Sequence, residues 1–169
     1  LTRTFEHHRP LGVVGIINAW NYPFNLPASD GAEALLAGNA VLLKPDSQTP
    51  FTALLLAGLL AEAGLPDGLF QVLPGSGAEL GPALVAGVDH LMFTGSTATG
   101  RKLAVACAER LIGFSGELGG KNPLLVLDDA DIATAAAGTA HGAFANTGQV
   151  CVGIERAYVH TRVYDEFVE

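Results

Sequence analysis

Val13-Val14-Gly15-Ile16-Ile17 is a continuous apolar run, and the same signature returns at Ala40-Val41-Leu42-Leu43, Phe70-Gln71-Val72-Leu73 and His90-Leu91-Met92-Phe93. Unbroken runs of this length fit strands buried on both faces, whereas a half-exposed strand would alternate apolar and polar residues. Alanine- and leucine-rich stretches separate the runs and read as helices over roughly 27–37, 50–63, 78–86 and 97–111. Gly64 follows the second and Gly87 the third, each placed as a helix stop. Alternation of strand and helix at this spacing predicts right-handed βαβ units and an α/β fold, a doubly wound parallel sheet.

The character changes after Glu117. Asn122-Pro123-Leu124-Leu125-Val126-Leu127 reads as a further strand, Asp128, Asp129 and Asp131 as an acidic helix start, and 156–160 as one more strand beyond an alanine-rich helix. A boundary near 116–120 therefore divides a first domain, 1–117, from the start of a second α/β domain, 118–169. The chain begins at Leu1 rather than methionine and stops within an amphipathic segment carrying Val163, Phe167 and Val168, so it is expected to be an internal fragment.

A formal net charge of −8 with scattered basic residues disfavours nucleic acid and anionic membrane as partners. Two cysteines, Cys107 and Cys151, are too few for a disulfide framework and imply a reducing, cytoplasmic setting. The longest apolar stretches fall far short of a membrane span. His7, His8 and His90 have no partners at metal-ligand spacing, so no metal site is expected. Cys107 lies in Leu103-Ala104-Val105-Ala106-Cys107 and reads as a helix-core residue.

In open α/β sheets ligands bind beyond the carboxyl ends of the strands. Those ends lead into Trp20-Asn21-Tyr22-Pro23, Lys44-Pro45, Pro74-Gly75-Ser76-Gly77 and Gly95-Ser96-Thr97. The last opens a helix with small residues and backbone amides, a favourable place for phosphate charge. It is neither the Gly-x-Gly-x-x-Gly fingerprint nor a Walker loop, since Arg101 stands where the latter has its lysine. Glu117 and Cys151, each in a glycine-rich setting, suggest a general base and a nucleophile for covalent chemistry at a carbonyl.

Five motifs in this order, Trp20-Asn21-Tyr22-Pro23, Lys44-Pro45 with Gln48-Thr49-Pro50, Phe93-Thr94-Gly95-Ser96, Glu117-Leu118-Gly119-Gly120-Lys121 and Gly148-Gln149-Val150-Cys151, resemble the aldehyde dehydrogenase superfamily along essentially the whole chain. Asp46-Ser47-Gln48-Thr49-Pro50 and Leu111-Ile112-Gly113 look most like its NADP-dependent succinate-semialdehyde dehydrogenase branch. The resemblance implies a Rossmann-like cofactor domain followed by the start of a catalytic domain. It makes Cys151 the nucleophile that forms a thiohemiacetal and then a thioester, Glu117 the base that activates water, and Asn21 an oxyanion donor. One such donor is worth roughly 3–4 kcal/mol of barrier. Lys44 would hold the adenosine ribose and Ser96 the pyrophosphate, with Gly75, Gly95 and Trp20 completing the cofactor surroundings; Trp20 would also pack in support of Asn21.

Position 47 speaks to the cofactor. Relatives that prefer NAD often carry glutamate there, whereas Ser47 leaves room beside Lys44 for a 2′-phosphate, so NADP is expected, with NAD tolerated. The implied substrate is an aldehyde, in particular a semialdehyde such as succinate semialdehyde, and the implied assembly is a homo-oligomer. The alternatives are a CoA-acylating relative, which would commonly lack the glutamate, and a catalytically silent nucleotide-binding module. The chain departs from the family pattern at Asp30, where many relatives have lysine, at Ser29, where some have a carboxylate-binding arginine, and at Gly116, where leucine is usual.

Overall fold

The computed structural model describes residues 3–169, which divide into two compact units, one ending at Leu118 and the other Gly119–Glu169. The first unit alternates β1 (Val13–Ile17), α1 (Asn25–Leu36), β2 (Ala40–Lys44), α2 (Pro50–Glu62), β3 (Phe70–Val72), α3 (Gly77–Gly87), β4 (His90–Thr94), α4 (Thr97–Glu109) and β5 (Gly113–Glu117). Its five strands form one sheet in the order β3-β2-β1-β4-β5, and every pairing is parallel. The first, second and fourth apolar runs are the inner strands β1, β2 and β4; the third, β3, lies at the sheet edge with Gln71 exposed, so it is not buried on both faces as its run suggested.

Their continuity has the expected cause. Val14, Ile16, Val41 and Leu43 are buried in one cluster with Ala34 of α1 and Ala53 and Leu56 of α2. The intervening side chains Val13, Ile17 and Leu42 pack instead with Leu84 and Val85 of α3, Leu91 of β4 and Cys107 of α4. Two apolar layers thus flank one sheet, and β1, β2 and β4 supply side chains to both. Gly15 is needed where α3 comes close: a Cβ there would lie 3.0 Å from Val88 Cγ1 and 3.2 Å from Leu84 Cγ. Buried Asn39 ties the layers at one edge, accepting from the Leu11 and Gly12 amides and donating to the Ala34 carbonyl.

Several helix boundaries differ from the sequence expectation by one or two residues. α1 starts at Asn25 with Pro27 in its first turn, where a missing N–H costs nothing. α4 stops at Glu109 because Leu111 adopts a left-handed conformation, φ 57°, a stop that no glycine announces. Gly64 does terminate α2 with φ +91°, but Gly87 is the last residue of α3, which ends by passing into extended Val88. β5 was not anticipated. Gly113-Phe114-Ser115-Gly116-Glu117 has a poor strand composition and is recruited by pairing along β4, from His90 opposite Gly113 to Thr94 opposite Glu117.

The second unit is a single βαβ element with a short tail. β6 (Asn122–Val126) pairs in parallel with β7 (Ile154–Val159), and α5 (Ile132–Phe144) makes the crossover, followed by α6 (Tyr164–Val168). Asp131 caps α5, its Oδ1 accepting from the Thr134 amide at 2.8 Å. Pro123 falls where the β6–β7 register shifts, a position that tolerates a residue without an N–H. No helix among the described residues is long and apolar enough to cross a membrane.

Candidate active site

The parallel sheet carries the loops after β1, β2, β3 and β4, together with the end of β5, to its carboxyl edge. β1 runs into Asn18, whose amide bonds the Lys44 carbonyl at 3.3 Å and so ties the first loop to the end of β2. The Asn18 side chain is buried; its Nδ2 donates to Asp30 Oδ2 at 3.3 Å, and its Oδ1 receives no hydrogen bond from the described residues. Three positions on, Asn21 has its Oδ1 buried. Trp20, expected to pack beside it, keeps 41% of its surface exposed, as Tyr22 and Phe24 also remain substantially exposed.

Lys44 is only 5% exposed, yet among the described residues its ammonium makes a single hydrogen bond, to the Pro45 carbonyl at 2.8 Å. No carboxylate pairs with it among the described residues. A buried ammonium with unused donors is unfavourable unless something anionic or strongly polar joins it. The following turn runs from Asp46 to Thr49, and Asp46 turns its Oδ1 onto the Gln48 amide at 2.9 Å. Exposed Ser47 therefore sits in a loop whose one carboxylate is engaged by its own backbone.

At the third and fourth strand ends the glycines are dictated by space. Gly75 has φ +156°, and a Cβ on Gly95 would lie 2.6 Å from Phe93 Cζ. Ser96 caps α4, its Oγ accepting from the Thr99 amide at 3.3 Å and donating to Thr99 Oγ1 at 3.0 Å. Between α3 and α4 lies a cavity of about 710 Å³, walled by Ala78, Gly81, Pro82 and Val85 on one side and Thr99 and Leu103 on the other. Sequence reasoning did not single out these walls; the signal was the small residues Gly77, Ala78 and Gly81 recurring on one helix. The cleft lining also includes the charged residues Lys102, Glu109 and Arg110.

Glu117 is exposed at the end of β5, and its carbonyl accepts from the Gly95 amide at 3.0 Å. The structure brings it into electrostatic reach of Asp30. Burial pushes the Asp30 carboxyl above its ordinary 3.8; the Asn18 hydrogen bond opposes that rise, and the Glu33 and Glu117 carboxylates reinforce it. Position 30 thus contributes an acid that holds its proton more tightly than usual. Gly116 also finds its reason, because a Cβ there would lie 2.8 Å from Phe114 Cε1, so the Phe114 ring fills the space a leucine would need.

Cys151 belongs to the second unit and is exposed, whereas Cys107 is fully buried, and burial raises its thiol above the ordinary value. The approach to Cys151 is a tight turn, Ala145–Gly148, in which Asn146 (φ 49°), Thr147 (φ 57°) and Gly148 (φ 76°) are left-handed in succession. Two such conformations at residues other than glycine cost roughly 1–2 kcal/mol each. The neighbourhood that holds this loop includes Asn122, which sequence reasoning did not single out.

An open parallel sheet whose loops gather at its carboxyl edge, together with a βαβ unit presenting a thiol, defines the fold as α/β. Comparison gives the family: the sequence model described as "Aldehyde dehydrogenase family" matches residues 2–169. The chain belongs to the aldehyde dehydrogenase family. It is 56% identical, over 99% of its length, to a Mycolicibacterium smegmatis protein provisionally named succinate-semialdehyde dehydrogenase (NADP(+)), of which it covers 32%. Among solved structures, an E. coli NADP-dependent enzyme superposes with a TM-score of 0.92 at 44% identity, over 95% of this chain and 34% of that one. A succinate-semialdehyde dehydrogenase from Burkholderia pseudomallei gives a TM-score of 0.91 at 40% identity, over the same shares of the two chains. The chain thus spans about a third of the length of the curated relatives it matches.

Proposed function

We propose that the full-length protein oxidises an aldehyde, most specifically a semialdehyde, to the carboxylic acid with hydride transfer to NADP. The observation that carries this reading is the pair of exposed groups, Glu117 at a strand's carboxyl end and Cys151 on its held loop, in a chain that matches the family from residue 2 to 169. In this reading residues 1–117 are cofactor-binding and 118–169 begin the catalytic domain.

The Cys151 thiolate attacks the carbonyl carbon, and the Asn21 side-chain amide with the Cys151 backbone N–H holds the charge that develops on oxygen. Bound NADP supplies the hydride acceptor that brings the bound carbon to the acyl level. The acyl group stays on Cys151 as a thioester until Glu117 takes a proton from water, whose oxygen adds to the acyl carbon and displaces the thiolate. Lys44 and Ser47 would hold the adenosine ribose with its 2′-phosphate, Ser96 and the Gly95 backbone the pyrophosphate, and the cleft between α3 and α4 the ring portion. The unpaired Lys44 ammonium and the neutral Ser47 support NADP, as do the names of the relatives. The semialdehyde assignment rests on those names. Ser29 spends its hydroxyl on the Asn25 carbonyl at 2.8 Å and Asp30 is acidic, so a substrate carboxylate draws its cation from elsewhere.

The test is steady-state and burst kinetics of the full-length protein on an aldehyde panel with both cofactors. Glu117→Gln is expected to keep a stoichiometric burst of reduced cofactor while turnover collapses. Unimpaired turnover in that variant would remove the base assignment, and far higher kcat/KM with NAD than with NADP would remove the cofactor assignment.

A further inference from the structure

The Asn122 carboxamide grips the turn that carries Cys151. Its Nδ2 donates to the Cys151 carbonyl at 2.7 Å and to the Gly153 carbonyl at 3.0 Å. The turn between them is closed from within by the Gly153 amide on the Val150 carbonyl at 3.0 Å. One side chain therefore fixes two peptide planes of the segment Cys151-Val152-Gly153, and with them the backbone torsion on the carboxyl side of Cys151.

Several neighbours are arranged so that this grip is possible. A Cβ on Gly120 would lie 3.1 Å from the Cys151 carbonyl oxygen, 3.1 Å from Asn122 Oδ1 and 3.3 Å from its Nδ2, closer than side chains ordinarily approach. The second glycine of the Glu117 motif is thus the gap through which the carboxamide and the cysteine carbonyl meet. Asn122 itself is anchored at the first residue of β6, opposite Ile154 and beside the register shift. Just before it, Lys121 pairs with Glu155 at 2.6 Å, and the Arg156 guanidinium donates to the Lys121 carbonyl at 2.7 Å. The other side of the loop enters through the left-handed residues Asn146, Thr147 and Gly148, a path the chain does not favour by itself. Bonds from outside the loop are what hold such a path in one arrangement.

We infer that Asn122 is a positioning residue for Cys151: by clasping the Cys151 and Gly153 carbonyls through the gap at Gly120, it sets the direction of the thiol and of the Cys151 N–H toward the substrate carbonyl. This rests on the reading of Cys151 as nucleophile. Misplacement of a reacting group by about an ångström costs on the order of a hundredfold in rate, and loss of the clasp acts on that scale rather than on cofactor affinity.

The experiment compares parent, Asn122→Ala, Asn122→Ser, Gly120→Ala and Cys151→Ser as full-length proteins. Measured are the burst rate of reduced cofactor, the pH profile of Cys151 alkylation by iodoacetamide, and NADP affinity by fluorescence titration. Asn122→Ala and Gly120→Ala are expected to slow the burst about 10–100-fold and to displace the alkylation profile, with NADP affinity within about twofold of the parent. Asn122→Ser, which keeps one donor, is expected to fall between, and it supplies the same reading where Asn122→Ala fails to fold. Parent-like burst rate and alkylation profile in Asn122→Ala or Asn122→Ser, with Cys151→Ser inert, would overturn the clasp alone. Turnover retained by Cys151→Ser would overturn the nucleophile reading and the positioning role with it.

Discussion

Asp30 is a half-buried carboxyl, and its chemistry predicts a measurable pH effect. Its proton is held more tightly in the folded chain than in the unfolded one, since burial raises its pKa above 3.8 and Glu33 and Glu117 add to the rise. Its stability contribution is therefore fully present below pH 3.8 and is lost as pH climbs through the raised value. Asp30→Asn removes that slope while keeping an acceptor for Asn18. The Tm difference between variant and parent is expected to grow in the variant's favour from pH 4 to pH 7.5, and a pH-independent difference would refute this. Ser47 makes the second prediction at this scale. Ser47→Glu places a negative charge where the 2′-phosphate is proposed to lie and is expected to lower kcat/KM for NADP at least about tenfold, with NAD much less affected. Equal losses for both cofactors would show that position 47 does not read the phosphate. Of these residues, Ser47 and the oddity of Asp30 were legible in the sequence. The partner Asn18 was not, because a buried amide three residues before Asn21 has no signature until the strand end is folded.

At the level of elements, strands β1, β2 and β4 were readable because burial on both faces demands unbroken apolar runs, edge strand β3 because Phe70 and Val72 share its packed face, and the helices because small and leucine-rich segments cover the sheet. β5 was unreadable for the opposite reason. Its glycines and serine carry no strand preference, and only the β4 edge makes it a strand, which places Glu117 at a strand's carboxyl end opposite Thr94. The same logic locates the weak points. Leu91, the second residue of β4 and fully buried, packs with α3 and α4, and Leu91→Ala is expected to cost about 2–5 kcal/mol, read as a lowered urea midpoint. Ser96→Ala removes the α4 cap and is expected to cost only about 1 kcal/mol. A larger loss at Ser96 than at Leu91 would contradict the two-layer account of this unit.

For the chain as a whole, the apolar surface left open is as informative as the core. α2 is apolar around its whole circumference, and Phe51 (81% exposed) and Leu55 (59%) lie outside the buried cluster. The 169-residue chain produced by itself is expected to bind the dye ANS strongly and to elute as aggregates, and Phe51→Lys with Leu55→Glu is expected to reduce both. Weak dye binding by the unmodified chain would show that this surface is covered within the chain itself. The sequence by itself determined the parallel α/β architecture and the order of motifs along the chain, because periodicity is a local property, while the resemblance carried by those motifs is what pointed to Asn21 beside Glu117 and Cys151. Tertiary structure alone decided that Gly113–Glu117 is a strand, that Asn18 and Asp30 share a hydrogen bond beside Glu117, that α3 and α4 leave a cleft, and that Asn122 holds the cysteine loop. Each of these depends on residues distant in the chain being brought within a few ångströms, and no local pattern encodes that.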